Sequence, residues 1–587
     1  MIPHSPSRFR FAPDRAAVWP ALVLMFLLVM GCGNAKNSVL ESAGPQTESV
    51  QNAEPLSPEG QASLRSILEA ERLPDSQWPD FKDYRDDVAK FYEGYGDALP
   101  WLSGMQATPQ ALAMIALLRK ADEKGLSPED YDGSRWAGRL AHLKPATGAP
   151  KESDLVGFDV ALTVSAMRYI SGLHVGRVNP RHLDFEVDVS TRRYNLPEFL
   201  RDNVVHASDV PGVLQQVEPP YPGYQRAIQA LARYREMARQ DDGEILPATK
   251  KPVKPGDSYR GVPRLARLLR LVGDLPANAA FQPDGTIYDG ELVSAVKNFQ
   301  LRNGLTPDGR LDAHTIAELN VPLSRRVRQM ELTLERWRWL PDEYRHSPIV
   351  VNVPEFRLRA YDEGFNIAVT MKVVVGKVYG QHDTPIFTSE MRSVIFRPYW
   401  NVPLSIAVAE VIPSVERNPG YLTKENMEIV DGRGNVVSSG AITNEILQEA
   451  REGKLTFRQK PGPENSLGLI KFVFPNEFDV YMHDTPATEL FSKSRRDFSH
   501  GCIRLEKPID LAVWVLRNNP GWDVDRIRAA MNGTATEAVT LAHPISVLIV
   551  YGTVIVSEDD VVHFYDDIYG HDGALEQALD KGYPYPR

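Results

Sequence analysis

The apolar pattern of this 587-residue chain changes its period once, and that change limits the folds it can adopt. From about residue 61 to 250 the apolar residues recur at helical spacing, as Ala111, Ile115 and Leu118 do. After about residue 346 they alternate, which predicts strands, the last of them closing the same sheet. The predicted strands cover residues 349–361, 366–375, 394–399, 469–483 and 543–565. The sequence therefore predicts a multidomain α+β protein with a helical scaffold first and a mostly-β domain last.

A compact helical unit is predicted between these two parts. Asp289 is placed to cap one helix that Gly304 ends, and Asp312 is placed to cap a shorter helix that follows. Together with turns at residues 283–285 and 307–309, this pattern predicts a small three-helix domain. Residues 403–462 later interrupt the strand pattern with helical and loop sequence, which predicts an inserted cap that could lie over a functional site.

The N-terminus has the outline of a signal peptide. Three arginines precede an apolar run at residues 16–30, which is shorter than a transmembrane helix usually needs to be. Gly31 directly before Cys32 resembles the lipobox of bacterial lipoproteins, which implies lipidation of Cys32 and a lipid anchor in the outer membrane. An ordinary signal peptide with an incidental cysteine, or an uncleaved anchor, is the alternative. Residues 33–60 are polar and predict a flexible linker.

The domain boundaries predicted from these patterns fall at changes in composition. They are a lipoprotein-like signal peptide (1–32), a linker (33–60), the scaffold (61–256), the small helical domain (257–323), a scaffold helix or linker (324–345) and the mostly-β domain (346–587) with its inserted cap (about 403–462).

Charge and cysteine content narrow the possible functions. The net charge of −11 argues against a nucleic-acid-binding protein, which would need a basic face. The chain has 2 cysteines, Cys32 and Cys502, so it is not a disulfide scaffold and each cysteine needs its own explanation.

The segment around Cys502 contains the groups that a thiol catalyst needs. Cys502 is the candidate nucleophile, and His483, which ends a predicted strand, is the candidate base that activates it. Tyr481 lies two residues before His483, so both side chains point to the same side of the strand and the phenol can donate to an oxyanion. Gly501 permits close approach of the backbone, and the amides of Gly501 and Cys502 are further oxyanion donors.

The sequence S-H-G-C-I-R-L at residues 499–505, after H-D-T at residues 483–485, resembles the signature of YkuD-type L,D-transpeptidases. Residues 376–377, 384–387, 398–403 and 461–463 and the domain order resemble the large Gram-negative members called YcbB-like, in which the small helical domain is a peptidoglycan-binding domain. The resemblance implies that His500 lines the site and that the backbone carbonyl of Asp484 orients the base. Arg504 would hold either the loop or a substrate carboxylate, and Trp400 and Asn401 would contact substrate.

The resemblance also implies a reaction and its partners. Cys502 would be acylated by the third residue of a peptidoglycan stem peptide with release of D-alanine, and a second stem would then form a 3→3 cross-link. No cofactor or metal is implied. Peptidoglycan stem peptides, the membrane through the lipid anchor, and other cell-wall synthases are the expected partners, in the periplasm. Lys493, Arg495 and Arg496 could offset the acidic net charge near the substrate, or be a solvated loop.

Other functions remain open at this point. The same acyl-enzyme could serve lipoprotein attachment, D-amino-acid exchange or L,D-carboxypeptidase action, and the small helical domain could be a spacer. The whole chain could be a non-catalytic peptidoglycan-binding envelope anchor. A zinc site at His483, His500, Cys502 and Asp484 is a weaker alternative, because no paired metal-ligand spacing accompanies these residues.

Overall fold

The structure is a computed structural model that describes residues 55–144, 148–192, 194–279, 285–341, 348–378, 382–438 and 442–585. The predicted signal peptide, the lipidation of Cys32 and most of the predicted linker lie outside the described residues. Within them, no helix combines the length and the apolar character needed to cross a membrane.

The N-terminal region is helical, as its spacing predicts, and surrounds one buried helix. Helix α5 (Glu152–Val175) is buried on nearly all sides, because apolar residues occupy most of its positions. The elements are α1 (Pro58–Ala70), α2 (Arg85–Glu93), α3 (Pro109–Arg119), α4 (Trp136–His142), α5 (Glu152–Val175), α6 (Leu196–Phe199), α7 (Val210–Gln215), α8 (Pro222–Gln240), and the short strands β1 (Leu102–Ser103), β2 (Gln106–Ala107) and β3 (Phe185–Glu186).

The small unit contains three helices around a separate core: α9 (Val262–Leu271), α10 (Gly290–Arg302) and α11 (Ala313–Leu319). Asp312 caps α11 by accepting a hydrogen bond from the Thr315 amide at 2.7 Å. Asp289 occupies the N-cap position of α10, but its side chain makes no capping hydrogen bond there, so the predicted side-chain cap is wrong. Helix α12 (Leu323–Trp337) follows and packs on α8 rather than within the small unit.

The C-terminal region is mostly β with an inserted α/β cap. Its strands are β4 (Ile349–Asn352), β5 (Arg357–Tyr361), β6 (Ile367–Gly376), β7 (Ile386–Phe396), β8 (Trp400–Asn401), β9 (Met427–Val430), β10 (Val436–Ser438), β11 (Thr456–Gln459), β12 (Ile470–Val473), β13 (Met482–His483), β14 (Asp497–Ser499), β15 (Ile503–Leu505), β16 (Glu537–Val550), β17 (Val554–Val556) and β18 (Val562–Phe564). Its helices are α13 (Leu404–Ile406), α14 (Ile412–Arg417), α15 (Tyr421–Lys424), α16 (Asn444–Arg451), α17 (Pro508–Val515), α18 (Val524–Asn532) and α19 (His571–Asp580).

The main sheet closes on itself. Its strands follow the order β12-β13-β15-β6-β5-β4-β16-β7, and β7 pairs again with β12, which makes a barrel. The scaffold contributes strand β3, which pairs in parallel with the start of β7. The predicted fold class, multidomain α+β with a mostly-β final domain, is confirmed.

Two predicted strands are each two strands in the structure. Residues 349–361 turn at Phe356, whose φ of 55° ends β4 and allows β5 to return antiparallel to it. Residues 469–483 break at Asn476, whose side-chain oxygen accepts from the amides of Phe478 and Val480, both at 3.1 Å. These local turns separate β12 from β13, which pair antiparallel.

The predicted closure of the sheet by the C-terminus is correct only for β16, which pairs with both β4 and β7. Strands β17 and β18 instead form a separate hairpin that packs on α8 and α12. The cap also has its own sheet, in the order β10-β9-β11-β8, and its own buried core.

Candidate active site

The candidate residues lie on one side of the barrel where three strands meet. Phe472, Met482 and Ile503 are register partners and point into the core. Side chains alternate along a strand, so their neighbours Lys471, His483 and Arg504 form a second row on the opposite side. Tyr481, two residues before His483, and Cys502, two before Arg504, extend the same row. The sheet thus places these five side chains together, of which the sequence analysis missed Lys471.

The loop before the thiol is held by hydrogen bonds to its own backbone. The Ser499 hydroxyl donates to the Cys502 carbonyl at 2.6 Å and accepts from the Gly501 amide at 3.2 Å. Gly501 has a φ of 110°, a conformation that other residues rarely adopt. The Gly501 amide is therefore engaged with Ser499 in this structure, although it was a predicted oxyanion donor.

Distant residues that the sequence analysis did not assign brace this loop. The Thr384 hydroxyl donates to the Gly501 carbonyl at 2.8 Å and accepts from the Gly376 amide at 2.8 Å. The Tyr569 hydroxyl donates to the Gly376 carbonyl at 2.6 Å and accepts from the Thr384 amide at 3.2 Å. A Cβ on Gly376 would lie 1.9 Å from the His382 carbonyl oxygen, so the close approach requires glycine. Tyr569 carries no sequence signal, because it is 67 positions after Cys502 (569 − 502).

Cys502 is half-buried and its thiol donates to the Asp479 carbonyl, with an Sγ–O distance of 3.8 Å. Burial raises the pKa of the Cys502 thiol. The amide and hydroxyl of Tyr481, together with the charge of Lys471, oppose that rise. The thiol is therefore protonated at neutral pH in the free protein.

His483 is buried, with 4% of its surface exposed. Its Nδ1–H donates to the Asp484 carbonyl at 2.6 Å, which leaves Nε2 as the proton acceptor. Burial, and then the charge of Arg504, lowers the pKa of His483 to about 3. The imidazole is neutral at pH 7, so it can accept a proton but does not form a resting ion pair with the thiol.

The Asp484 carboxylate supports the turn rather than the imidazole. Its two oxygens accept from the amides of Leu469 and Thr485 at 2.9 and 2.7 Å. Burial raises the pKa of Asp484. The structure thus separates two functions of this residue: its backbone carbonyl meets the base, and its side chain braces the chain around it.

Tyr481 connects the thiol to the cap. Its hydroxyl lies close enough to the Cys502 thiol and to the Trp400 side chain for both to shift its pKa, and the indole N–H of Trp400 can only donate. Burial raises the pKa of Tyr481, so the phenol keeps its proton. Trp400 is therefore next to Tyr481 at the candidate site. Asn401, beside it on β8, is exposed and is the register partner of Arg458.

The structure places His500 against the cap. Its Nε2 lies 2.7 Å from a carboxylate oxygen of Glu410, in the cap, and 3.3 Å from Lys377 Nζ. The His382 ring packs on it with centroids 4.7 Å apart. Across the described ranges, no group of three or more metal-ligating side chains is arranged to hold a metal ion.

The predicted basic loop is largely committed to other contacts. Arg495 pairs with Asp497 at 2.7 Å, and Arg496 donates to four backbone carbonyls. Lys493 is exposed, with its ammonium over the Phe498 ring.

Comparison with known proteins gives three domain matches in chain order. Residues 86–231 match a family model described as "Scaffold domain", residues 261–319 one described as "Putative peptidoglycan binding domain", and residues 347–538 one described as "L,D-transpeptidase catalytic domain". The predicted resemblance to large L,D-transpeptidases with this domain order is confirmed.

One curated relative supports the same family. A Haemophilus influenzae protein named "Putative L,D-transpeptidase" is 30% identical to this chain over 295 residues, which are 49% of this chain. The matched region spans 58% of that relative's length, a little over half.

Proposed function

We propose that this chain, which carries an L,D-transpeptidase catalytic domain at residues 347–538, cross-links peptidoglycan through an acyl-thioester on Cys502. The observation that carries the proposal is the row of side chains that places Cys502, Tyr481 and His483 on one side of three paired strands inside that domain. A thiol, a neutral imidazole and a protonated phenol are what acyl transfer requires.

Acylation begins with an uncharged thiol and an uncharged base. His483 Nε2 takes the Cys502 proton as sulfur attacks the carbonyl of the third stem residue, because neither group is ionised beforehand. The Tyr481 hydroxyl, next to the sulfur, donates to the oxyanion. The C–N bond then breaks, the imidazolium protonates the nitrogen, and D-alanine leaves with a thioester remaining on Cys502.

Deacylation reverses the proton path. The side-chain amine of a second stem attacks the thioester carbon, His483 takes its proton, and the Cys502 thiolate leaves and is reprotonated. The product is a 3→3 cross-link. The peptidoglycan-binding domain supports a stem peptide as acceptor, since it would hold the enzyme on the polymer.

We also propose a location in the cell envelope, in the periplasm, with lipid attachment at Cys32 to the outer membrane. The peptidoglycan-related domains support the envelope, and the lipid anchor rests on the sequence around Cys32. Contacts with other cell-wall synthases belong to the same proposal.

Intact-mass spectrometry of the purified protein tests the chemistry. The protein is incubated with a disaccharide-tetrapeptide and, separately, with a carbapenem, beside Cys502→Ser and His483→Ala. A covalent carbapenem adduct on Cys502 and a dimeric muropeptide lacking one D-alanine are expected, and neither variant should form the dimer. D-alanine release without dimer would contradict cross-linking and indicate carboxypeptidase action. A folded protein that neither reacts nor turns over would indicate a peptidoglycan-binding anchor.

A further inference from the structure

Two cations, Lys471 and Arg504, lie beside the candidate base. Lys471 and Arg504 are the register partners of His483 on either side, so their side chains flank the imidazole. Within the described residues, neither forms an ion pair within 4.0 Å. Lys471 Nζ lies 3.6 Å from the centre of the Tyr481 ring, and Arg504 Nε is buried and has no hydrogen-bond partner in the part of the chain that the structure describes.

The surrounding groups do not neutralise this pair. Asp479 and Glu489 act on Lys471 and Arg504 only through longer-range attraction. Burial lowers the pKa of both cations, and the Cys502 thiol and His483 imidazole between them are uncharged. Holding two partly desolvated positive charges without a counter-charge costs stability, and a bound anion would offset that cost.

The donor in the proposed reaction carries an anion at a matching place. In a tetrapeptide stem, the terminal carboxylate carbon follows the scissile carbonyl carbon by three bonds, so the two lie within about 4 Å. Lys471 and Arg504 each interact electrostatically with Cys502, so a donor whose carbonyl lies at the sulfur can bring this carboxylate within their reach. Neighbouring strands are about 4.8 Å apart, within the reach of either side chain.

We propose that Lys471 and Arg504 form a binding site for the free α-carboxylate of the leaving residue, so that the enzyme cleaves only the last peptide bond of its donor. This proposal rests on the proposed function and adds the residues that select the donor. Substitution of Lys471 is the more specific test, because Lys471 lies outside the thiol motif and on a different strand from Cys502.

An alternative role for Lys471, stabilising the Cys502 thiolate, predicts a different result. If its charge served only to stabilise the Cys502 thiolate, its loss would slow every donor equally. If it binds the leaving carboxylate, its loss should penalise only donors that have that carboxylate. A tetrapeptide with a C-terminal carboxamide removes the charge while keeping the scissile bond, and so separates the two roles.

Binding and turnover are measured for the acid and amide forms of a disaccharide-tetrapeptide. Binding uses calorimetry on the Cys502→Ala protein, with and without Lys471→Met, so it does not depend on catalysis. We expect the acid to bind about 10- to 100-fold more tightly than the amide, and Lys471→Met to remove most of that preference. In proteins that retain Cys502, Lys471→Met should lower kcat/KM for the acid by a similar factor and leave the amide within about threefold.

Two further variants complete the design. Lys471→Arg keeps the charge and should restore most of the preference, and Lys493→Met, which removes an exposed lysine of the predicted basic loop, should leave it unchanged. Equal binding of acid and amide by the Cys502→Ala protein would overturn the proposal, as would an equal loss of kcat/KM for both donors in Lys471→Met. Failure of the parent to release D-alanine, with the binding preference intact, would count against the proposed function and not against the carboxylate site.

Discussion

Buried charge is treated in opposite ways in two regions of this molecule. Where helix α12 meets the scaffold, the Glu335 carboxylate is fully buried and paired with Arg177 and Arg338, each at 3.3 Å. It also accepts from the amides of Arg177 and Val178. Burial acts to raise the pKa of Glu335, but the two guanidinium groups outweigh it and hold the pKa below its usual value.

Lys471 and Arg504 at the candidate active site lack such a counter-charge from the described residues. Lys471 and Arg504 have no acid within ion-pair distance among the residues described, and the thiol and imidazole near them are neutral. A buried charged side chain that only holds two helices or strands together needs a counter-charge from the protein. A charged side chain that binds an anionic ligand can take its counter-charge from that ligand. The comparison predicts that substitutions in the first region act on stability and those in the second on activity.

The largest effect should come from Cys502→Ala. We expect cross-linking activity to fall at least about 1000-fold, equivalent to about 4 kcal/mol of transition-state stabilisation, because the nucleophile is lost. The melting temperature should not fall, since the thiol has only a long hydrogen bond to a carbonyl. Activity is measured by muropeptide chromatography and stability by thermal unfolding. Residual cross-linking above about 1% of the parent would exclude Cys502 as the acylated residue.

Glu335→Gln should lower stability and leave activity nearly unchanged, the opposite of the effect expected for Cys502→Ala. Loss of the carboxylate leaves two buried guanidinium groups without their shared counter-charge, and we expect about 3–5 kcal/mol of destabilisation. Denaturant unfolding measures it, and kcat/KM of the remaining folded protein should stay within about threefold. Glu331→Gln, on the same helix and paired with Arg328 at 3.4 Å at a less buried position, is the control and should cost about 1 kcal/mol or less. Similar losses in both variants would show that the buried cluster has no special role.

A buried histidine, His483, and a half-buried one, His571, predict how stability depends on pH. Burial, reinforced by the charge of Arg504 at the first and Arg336 at the second, lowers the pKa of His483 to about 3 and that of His571 to about 4. The unfolded chain binds a proton near pH 6.5 and the folded protein does not, so stability is complete above that pH and falls as pH decreases towards the folded value.

Each histidine should therefore contribute a loss of about 2 kcal/mol in unfolding free energy between pH 7 and pH 5. His483→Gln and His571→Gln should each reduce the acid sensitivity by that amount, as measured by urea unfolding at the two pH values. Only His483→Gln should also abolish turnover, because His571 packs between Phe185 and Tyr551 and is not one of the five side chains grouped around Cys502. An unchanged acid sensitivity in His483→Gln would show that the imidazole is not held neutral.

The sequence predicted those features that are determined by residues close together in the chain. Period-2 alternation in 366–375 and the capping Asp312 matched β6 and α11, and the spacing of Tyr481 and His483 placed both on one side of β13. It could not predict pairings across the chain. Strand β3 joins β7 some 200 positions later, and Thr384 and Tyr569 support a loop near residue 501.

The same limit explains why Lys471 was missed. Alternation around Phe472 shows that Lys471 points away from the core, but only the β12–β13 register shows that it lies beside His483. The cap was predicted as an insertion, yet its separate sheet depends on β8 pairing with β11, in which Asn401 is the partner of Arg458 57 positions later (458 − 401). Contacts set by register or by chain closure have no local signal in a single sequence.

The smallest expected effect concerns an exposed contact between the cap and the thiol loop, in which the His500 imidazole meets the Glu410 carboxylate. His500 and Glu410 lie 2.7 Å apart but are 24% and 51% exposed, so solvent screens the pair. Glu410→Gln should cost less than about 1 kcal/mol in stability and raise KM for the tetrapeptide by about two- to fourfold with little change in kcat. A large loss of kcat would instead mean that the cap contact positions the loop for catalysis, and the exposed pair would then belong with the active-site row. Glu416→Gln, which breaks the exposed pair with Arg451 within the cap, is the matched control and should leave KM unchanged.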